Sequence, residues 1–280
     1  RNVFLSWWLV VFNHLWISLA ISYNEHFGLT HHIWYLSGVI VAGLFGYRVL
    51  KVLNKTERKV SLDQFYGYSY EHPIYNVAFL IMNGTFNTEL TAPYDIFQHT
   101  TFRKGIKSMN VFTVANTGKP IKTFEGIRIL PDFNYLKDSL PKIDILVVPS
   151  AEHHLDSDLN DVQMINFVKK VAKNAQFITS HCDGAFVLAK AGVLEGRVST
   201  TFPSDIDKMK KMFPSLDIRK DVLFVHDDKY ITSAGGAKSF EAALYLCEYL
   251  YGSEIAISLA KGLVIEWKLD DLSYIYKENL

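Results

Sequence analysis

The 280-residue chain is 49% hydrophobic and 21% charged, and its 29 basic side chains balance its 29 acidic ones. A net charge of zero leaves no bulk positive field to hold nucleic acid, which sets that partner class aside. Two cysteines, Cys182 and Cys247, are too few for a disulfide framework and fit a reducing compartment.

The apolar residues are unevenly spread. From Asn2 to Asn24 there is no Asp, Glu, Lys or Arg, and the run is about as long as the ~17–25 residues needed to cross a bilayer. A second run extends from Ile33 to about Leu53, with Arg48 and Lys51 near its end. Trp7, Trp8, Trp16, Trp34 and Tyr35 suit interfacial belts. These features predict one or two transmembrane helices within residues 1–53. A pair of buried core helices, or a signal peptide cut near Ser18 to Ala20, are the competing readings. Lys and Arg are absent between the runs and follow the second as Arg48, Lys51, Lys55, Arg58 and Lys59, so the positive-inside rule places the rest of the chain in the cytoplasm. Gly38, Ala42 and Gly46 form a small-residue face on which helices can approach closely. Residues 54–73 read as a polar linker.

Strands and helices then alternate over residues 74–268. Short apolar runs predict strands at Val77–Met82, Val111–Ala115, Ile143–Val148 and Ala175–Thr179, with shorter ones near Val198 and at Val222–Val225. Helices are expected at Glu89 to about Thr100, Leu159–Lys173, Gly184–Ala191 and Ser239–Leu250. In Leu159–Lys173 the apolar residues Val162, Ile165, Val168 and Val171 define the predicted buried face. This alternation specifies an α/β domain, a mostly parallel sheet with helices on both faces. Ligands of such sheets bind beyond the carboxyl ends of the strands. Residues 269–280 read as a tail.

The stretch F-I-T-S-H-C-D-G-A-F-V-L-A-K runs an apolar strand straight into Cys182, with Gly184 two residues on and a helix after it. That is the layout of a nucleophile elbow. A helix N-terminus behind a thiol lowers its pKa, and Asp183, if ionised, opposes that effect. The alternative for Cys182 is a buried small hydrophobe. Cys247, inside an amphipathic helix, reads as core.

The segments S-H-C-D-G-A-F-V-L-A-K-A-G-V-L-E-G-R-V-S-T-T and I-T-S-A-G-G-A-K-S-F-E-A-A-L-Y-L, with E-L-T-A-P-Y-D-I-F starting at Glu89, resemble the elbow, closing and early acidic motifs of the ThiJ/PfpI superfamily. The resemblance covers about Tyr75 to Trp267. It implies a flavodoxin-like, class I glutamine amidotransferase-like fold, often as a homodimer. It also implies Cys182 as nucleophile and Glu89 as the carboxyl group lying against the thiol. Backbone N–H groups near Asp183, Gly184 and Ala151 would form an anion hole. The superfamily spans hydratases, glyoxalase-like enzymes, proteases and sensor domains, so the reaction is not fixed by it.

Three departures from the family pattern bear on chemistry. Phe202 stands where many members have His, Asp183 stands where protease-like members have His, and V-V-P-S-A-E-H-H replaces V-V-P-G-G. His153 and His154 in that loop are the candidate replacement bases, and His181 precedes the thiol. No ligand cluster of recognised spacing predicts a metal, and no cofactor is expected. Without a placed His, addition of Cys182 to a small electrophile, in hydratase- or glyoxalase-like chemistry, is favoured over proteolysis. The rival reading is a membrane-anchored module that senses a ligand or its own oxidation.

Overall fold

The computed structural model describes residues 74–277. The predicted membrane runs and linker, residues 1–73, lie outside the described residues. Among the described residues no helix is long and apolar enough to cross a membrane.

An eight-stranded sheet forms the centre. In chain order its strands are β1 (Tyr75–Leu80), β2 (Met109–Ala115), β5 (Phe133–Asn134), β6 (Ile145–Val148), β7 (Phe177–His181), β10 (Phe224–Asp227), β11 (Tyr230–Ser233) and β12 (Tyr274–Lys277). Across the sheet they run β12-β10-β11-β7-β6-β1-β2-β5. Every neighbouring pair is parallel except β10 with β11, a tight hairpin. Two small pairs stand apart: β3 (Ile121–Lys122) with β4 (Arg128–Ile129), and β8 (Val198–Ser199) with β9 (Asp217–Ile218).

The helices are α1 (Asn87–Gln98), α2 (Val162–Ala172), α3 (Gly184–Lys190), α4 (Ile206–Met212), α5 (Ser239–Tyr251) and α6 (Ser253–Gly262). Successive strand residues point to opposite faces, so a strand covered on both sides must be apolar throughout. In β1, Ala78 and Leu80 join the core under α2, α3 and α4, while Val77 and Phe79 join the core under α1, α5 and α6. This is the mostly parallel sheet with two helical layers expected from the alternating pattern.

Two expectations are corrected. The buried face of α2 is Met164, Phe167, Val168 and Ala172, whereas Val162 is 68% exposed. Residues spaced strictly by three drift around a helix of 3.6 residues per turn, so the apolar set at 162, 165, 168 and 171 is not one stripe. The residues read as a tail also contribute to the sheet, because β12 pairs with β10 at its edge. The domain boundary therefore falls later than residue 268.

The chain passes from β1 to β2 on one side and from β6 to β7 on the other. The strand order thus switches direction between β1 and β6, and sheets of this kind bind ligands at such a point, beyond the carboxyl ends of the strands. Glu89 follows β1, Ala151 follows β6 and Cys182 follows β7.

Candidate functional site

Cys182 is the residue at which β7 turns into α3. Its φ is +54°, a left-handed conformation that costs a β-carbon-bearing residue roughly 1–2 kcal/mol. Packing from two sides enforces it. A Cβ on Gly235 would lie 2.3 Å from Cys182 Cβ, and a Cβ on Gly184 would lie 2.0 Å from the Val148 carbonyl oxygen. The Cys182 N–H donates to the Ser233 carbonyl at 3.0 Å, tying the elbow to the end of β11.

The thiol is 6% exposed. It donates to Asp183 Oδ2 at 3.6 Å, a long bond of the kind sulfur makes. Asp183 Oδ1 accepts from Thr201 Oγ1 at 3.1 Å, and the same hydroxyl lies 3.1 Å from the Cys182 carbonyl. Glu89, in the first turn of α1, is buried, and its Oε1 accepts from the Gly236 N–H at 3.0 Å. Glu89 is near enough for its charge to act on the thiol. The thiol's hydrogen bond, however, goes to Asp183.

Burial pushes the Cys182 thiol well above its ordinary pKa, and the Asp183 carboxylate pushes it further. Glu89 adds to this, while the Ser150 hydroxyl and the Asp183 N–H act the other way. The expected lowering by the helix N-terminus is therefore overridden. The helix is only seven residues long, and the thiol in front of it is desolvated among carboxylates. Burial first, then Asp205, raises Asp183 to about 6, against the pull of its bonds to Thr201 and Cys182.

The loop after β6 supplies Ser150, which is fully buried. Its hydroxyl acts on the thiol in the direction that lowers its pKa, yet Oγ closes no hydrogen bond of ordinary geometry. Its carbonyl accepts from the Phe86 N–H at 3.0 Å, fixing the start of α1 and with it Glu89. The Ala151 N–H donates to His154 Nδ1 at 3.2 Å, so this amide is engaged rather than open to an anion. His154 is wholly buried, and desolvation pushes its pKa down to about 3. With Nδ1 accepting, the ring proton of the neutral imidazole sits on Nε2, 3.3 Å from Met82 Sδ. His153 is instead half exposed beside Asp156 and Glu152, at 3.3 and 4.0 Å. His181 is buried against Ser233 Oγ at 3.0 Å, and desolvation holds its pKa near about 3.

The structure thus brings together Cys182, Asp183, Glu89 and Ser150, framed by Gly184 and Gly235. Among the described residues neither His153 nor His154 bonds the thiol, and no group of three or more His, Cys, Asp or Glu is placed to hold a metal ion. Ser150, Thr201 and Gly235 were not singled out in the sequence. The signal for Ser150 was its place in V-V-P-S-A, where the resembling family has glycine.

Asp183 has a measurable effect on stability. Its folded pKa, about 6, exceeds the ordinary 3.8, so the native state binds this proton more tightly than the unfolded chain. The stability this proton contributes is fully present below about pH 4 and lost as the pH rises through about 6. Asp183→Asn is expected to raise stability at pH 7.5 by on the order of 1–3 kcal/mol and to change it little at pH 4.5. Urea midpoints at the two pH values check this, and equal shifts at both would show that Asp183 ionises normally.

Comparison with known proteins agrees with this fold. The sequence model of the DJ-1/PfpI family matches residues 75–249. An isonitrile hydratase of Pseudomonas putida is 25% identical over 180 residues, which are 64% of this chain and 74% of that protein. The HTH-type transcriptional regulator CdhR of Pseudomonas aeruginosa is 30% identical over 148 residues, 53% of this chain and 43% of the regulator. The crystal structure of Drosophila melanogaster DJ-1beta superposes with a TM-score of 0.60 at 24% identity, covering 69% of this chain and all of that one.

Proposed function

The chain belongs to the DJ-1/PfpI family, and from that premise we propose that Cys182 adds to a small electrophilic carbon, of an isonitrile or an aldehyde, in a hydratase- or glyoxalase-like reaction. The observation that carries this is the strained elbow, with the thiol aimed at the buried Asp183 carboxylate 3.6 Å away. A thiol held protonated at neutral pH must lose its proton as the substrate is attacked. Asp183 is the group placed to take it.

With an isonitrile, sulfur bonds the terminal carbon, and the thiol proton passes by way of Asp183 to that same carbon. Water then attacks the resulting thioimidate and displaces the sulfur, giving an N-substituted formamide and restoring the thiol. With a 2-oxoaldehyde, the carbonyl π pair moves to oxygen, which takes the proton, giving a hemithioacetal; the hydrogen on that carbon then shifts as a proton to the neighbouring carbonyl carbon, leaving a thioester that water hydrolyses to a 2-hydroxy acid, restoring the thiol. The base must be ionised in either case. Turnover by the full chain is therefore expected to rise with pH through about 6, and this limb is expected to vanish in Asp183→Asn. Inertness toward a panel of small isonitriles and aldehydes would overturn the reading.

Glu89 is assigned to handle a proton on the substrate side. Its charge holds the thiol pKa up, so Glu89→Gln is expected to speed iodoacetamide alkylation of Cys182 several-fold while slowing turnover about 10²-fold. Equal turnover in the variant would remove Glu89 from the mechanism.

A second reading is favoured by the same raised thiol pKa, which suits a module that binds a ligand without turning it over. The regulator among the relatives supports it. Ligand binding by Cys182→Ser equal to wild type, with no turnover by either, would select it. In both readings the domain is a homodimer, as the family resemblance implies, held at the cytoplasmic face of a membrane by residues 1–53, a tether supported by the charge-free run from Asn2 to Asn24, the second apolar run and the basic residues at and after its end. Recovery of the full chain in the soluble fraction of lysed cells would remove the tether.

A further inference from the structure

Adding sulfur to an aldehyde carbonyl carbon puts negative charge on its oxygen, and a site that lowers this barrier needs donors aimed there. The loop after β6 is where such donors were expected, but the Ala151 N–H is committed to His154 Nδ1 at 3.2 Å. The same loop holds one hydroxyl with nothing bound. Ser150 is 0% exposed, and its Oγ has no hydrogen-bond partner among the described residues. A buried hydroxyl left unsatisfied costs about 1–3 kcal/mol, so its persistence calls for an explanation.

Its place in the fold offers one. Val148 pairs with Ser180 across β6 and β7, so Ser150 leaves its strand beside the point where Cys182 leaves the next. Gly184 lets α3 close directly onto the Val148 and Pro149 carbonyls. The Ser150 main chain is pinned by Phe86, so its side chain is held while the thiol's own proton is directed to Asp183.

Resting on the function proposed above, we propose that Ser150 is a catalytic residue whose hydroxyl donates first to the Cys182 sulfur and then to the anionic atom formed on the substrate. As the S–C bond forms, the thiol proton passes to the Asp183 carboxylate and the carbonyl π pair moves to oxygen. That oxygen is held by the Ser150 O–H until Asp183 returns the proton, completing the hemithioacetal. No other reactant is needed. Ser150 takes the place of the occupied Ala151 amide.

The test uses the full chain in a Cys247→Ala background, with iodoacetamide as the probe of the sulfur and methylglyoxal as the probe electrophile. Ser150→Ala is expected to slow alkylation of Cys182 about tenfold at a fixed pH near 8, and to cut methylglyoxal turnover about 10²-fold, mainly in kcat. Ser150→Thr, which keeps the hydroxyl, is expected to restore most of the alkylation rate. Ser150→Gly, which fills no space, is expected to behave as Ser150→Ala does. A merely structural role would shift urea midpoints without this split between Thr and Gly. Unchanged alkylation in Ser150→Ala, with wild-type Cys182 reactive, would overturn the role of Ser150 and leave the proposed function standing. Wild-type Cys182 inert to both probes would overturn both.

Discussion

Cys182→Ser is expected to lower turnover of a reactive isonitrile or aldehyde by at least about 10³-fold, with little change in folding. The side chain sits at the end of β7 in the space left by Gly235, and a hydroxyl occupies no more of that space than a thiol. Ser Oγ is a far poorer nucleophile without a matched base, and Asp183 at about 6 is too weak to ionise it. The measurement is steady-state turnover of the variant beside wild type, with urea midpoints as a control. Residual turnover above one tenth of wild type would mean that the bond to carbon is made by another group.

Gly184→Ala is expected to give a large loss of stability. The added Cβ would meet Val148 O at 2.0 Å, Val148 C at 3.0 Å and Pro149 O at 3.1 Å, all of them backbone atoms next to the central strand β6. No rotamer change relieves such a contact, so either α3 or β6 must shift. Both are buried, and cores transmit rather than absorb displacements. A cost of about 4 kcal/mol or more is expected, a large share of the ~5–15 kcal/mol that holds a domain together. Urea unfolding would then show a midpoint lowered by about a quarter or more, or the variant would not fold at all. A midpoint within a tenth of wild type would show that the elbow is looser than its geometry.

How much of this was legible in the sequence depended on how local the cause was. Strands β1, β2, β6 and β7 stood out because a parallel strand covered on both faces has to be apolar throughout. Strands β5 and β9, of two residues each, are too short to carry any period, whereas β8 falls where a short strand was expected near Val198, and β12 mixes aromatic and charged residues at an edge. The Cys182 elbow was readable because strand, turn and helix follow one another within a few residues. The sign of the thiol's pKa shift was not, since it depends on burial and on carboxylates from different segments overcoming the helix N-terminus. Ser150 was visible only as an odd residue in a loop. Its nearness to a thiol 32 positions later arises from the pairing of β6 with β7.

The strand at the far edge of the sheet has a consequence for how the chain is made. β12 is the last element, yet it covers β10, laying Tyr274 on the Phe224 ring at 4.9 Å and Lys277 on the buried Asp227 at 3.2 Å. A ribosome releases these residues after every other strand of the sheet. Until then β10 presents an open row of backbone donors and acceptors to any other nascent chain. The Cys182 elbow, built from β6, β7 and β11, can therefore be complete while that edge is still open. Pairing of β12 closes that edge.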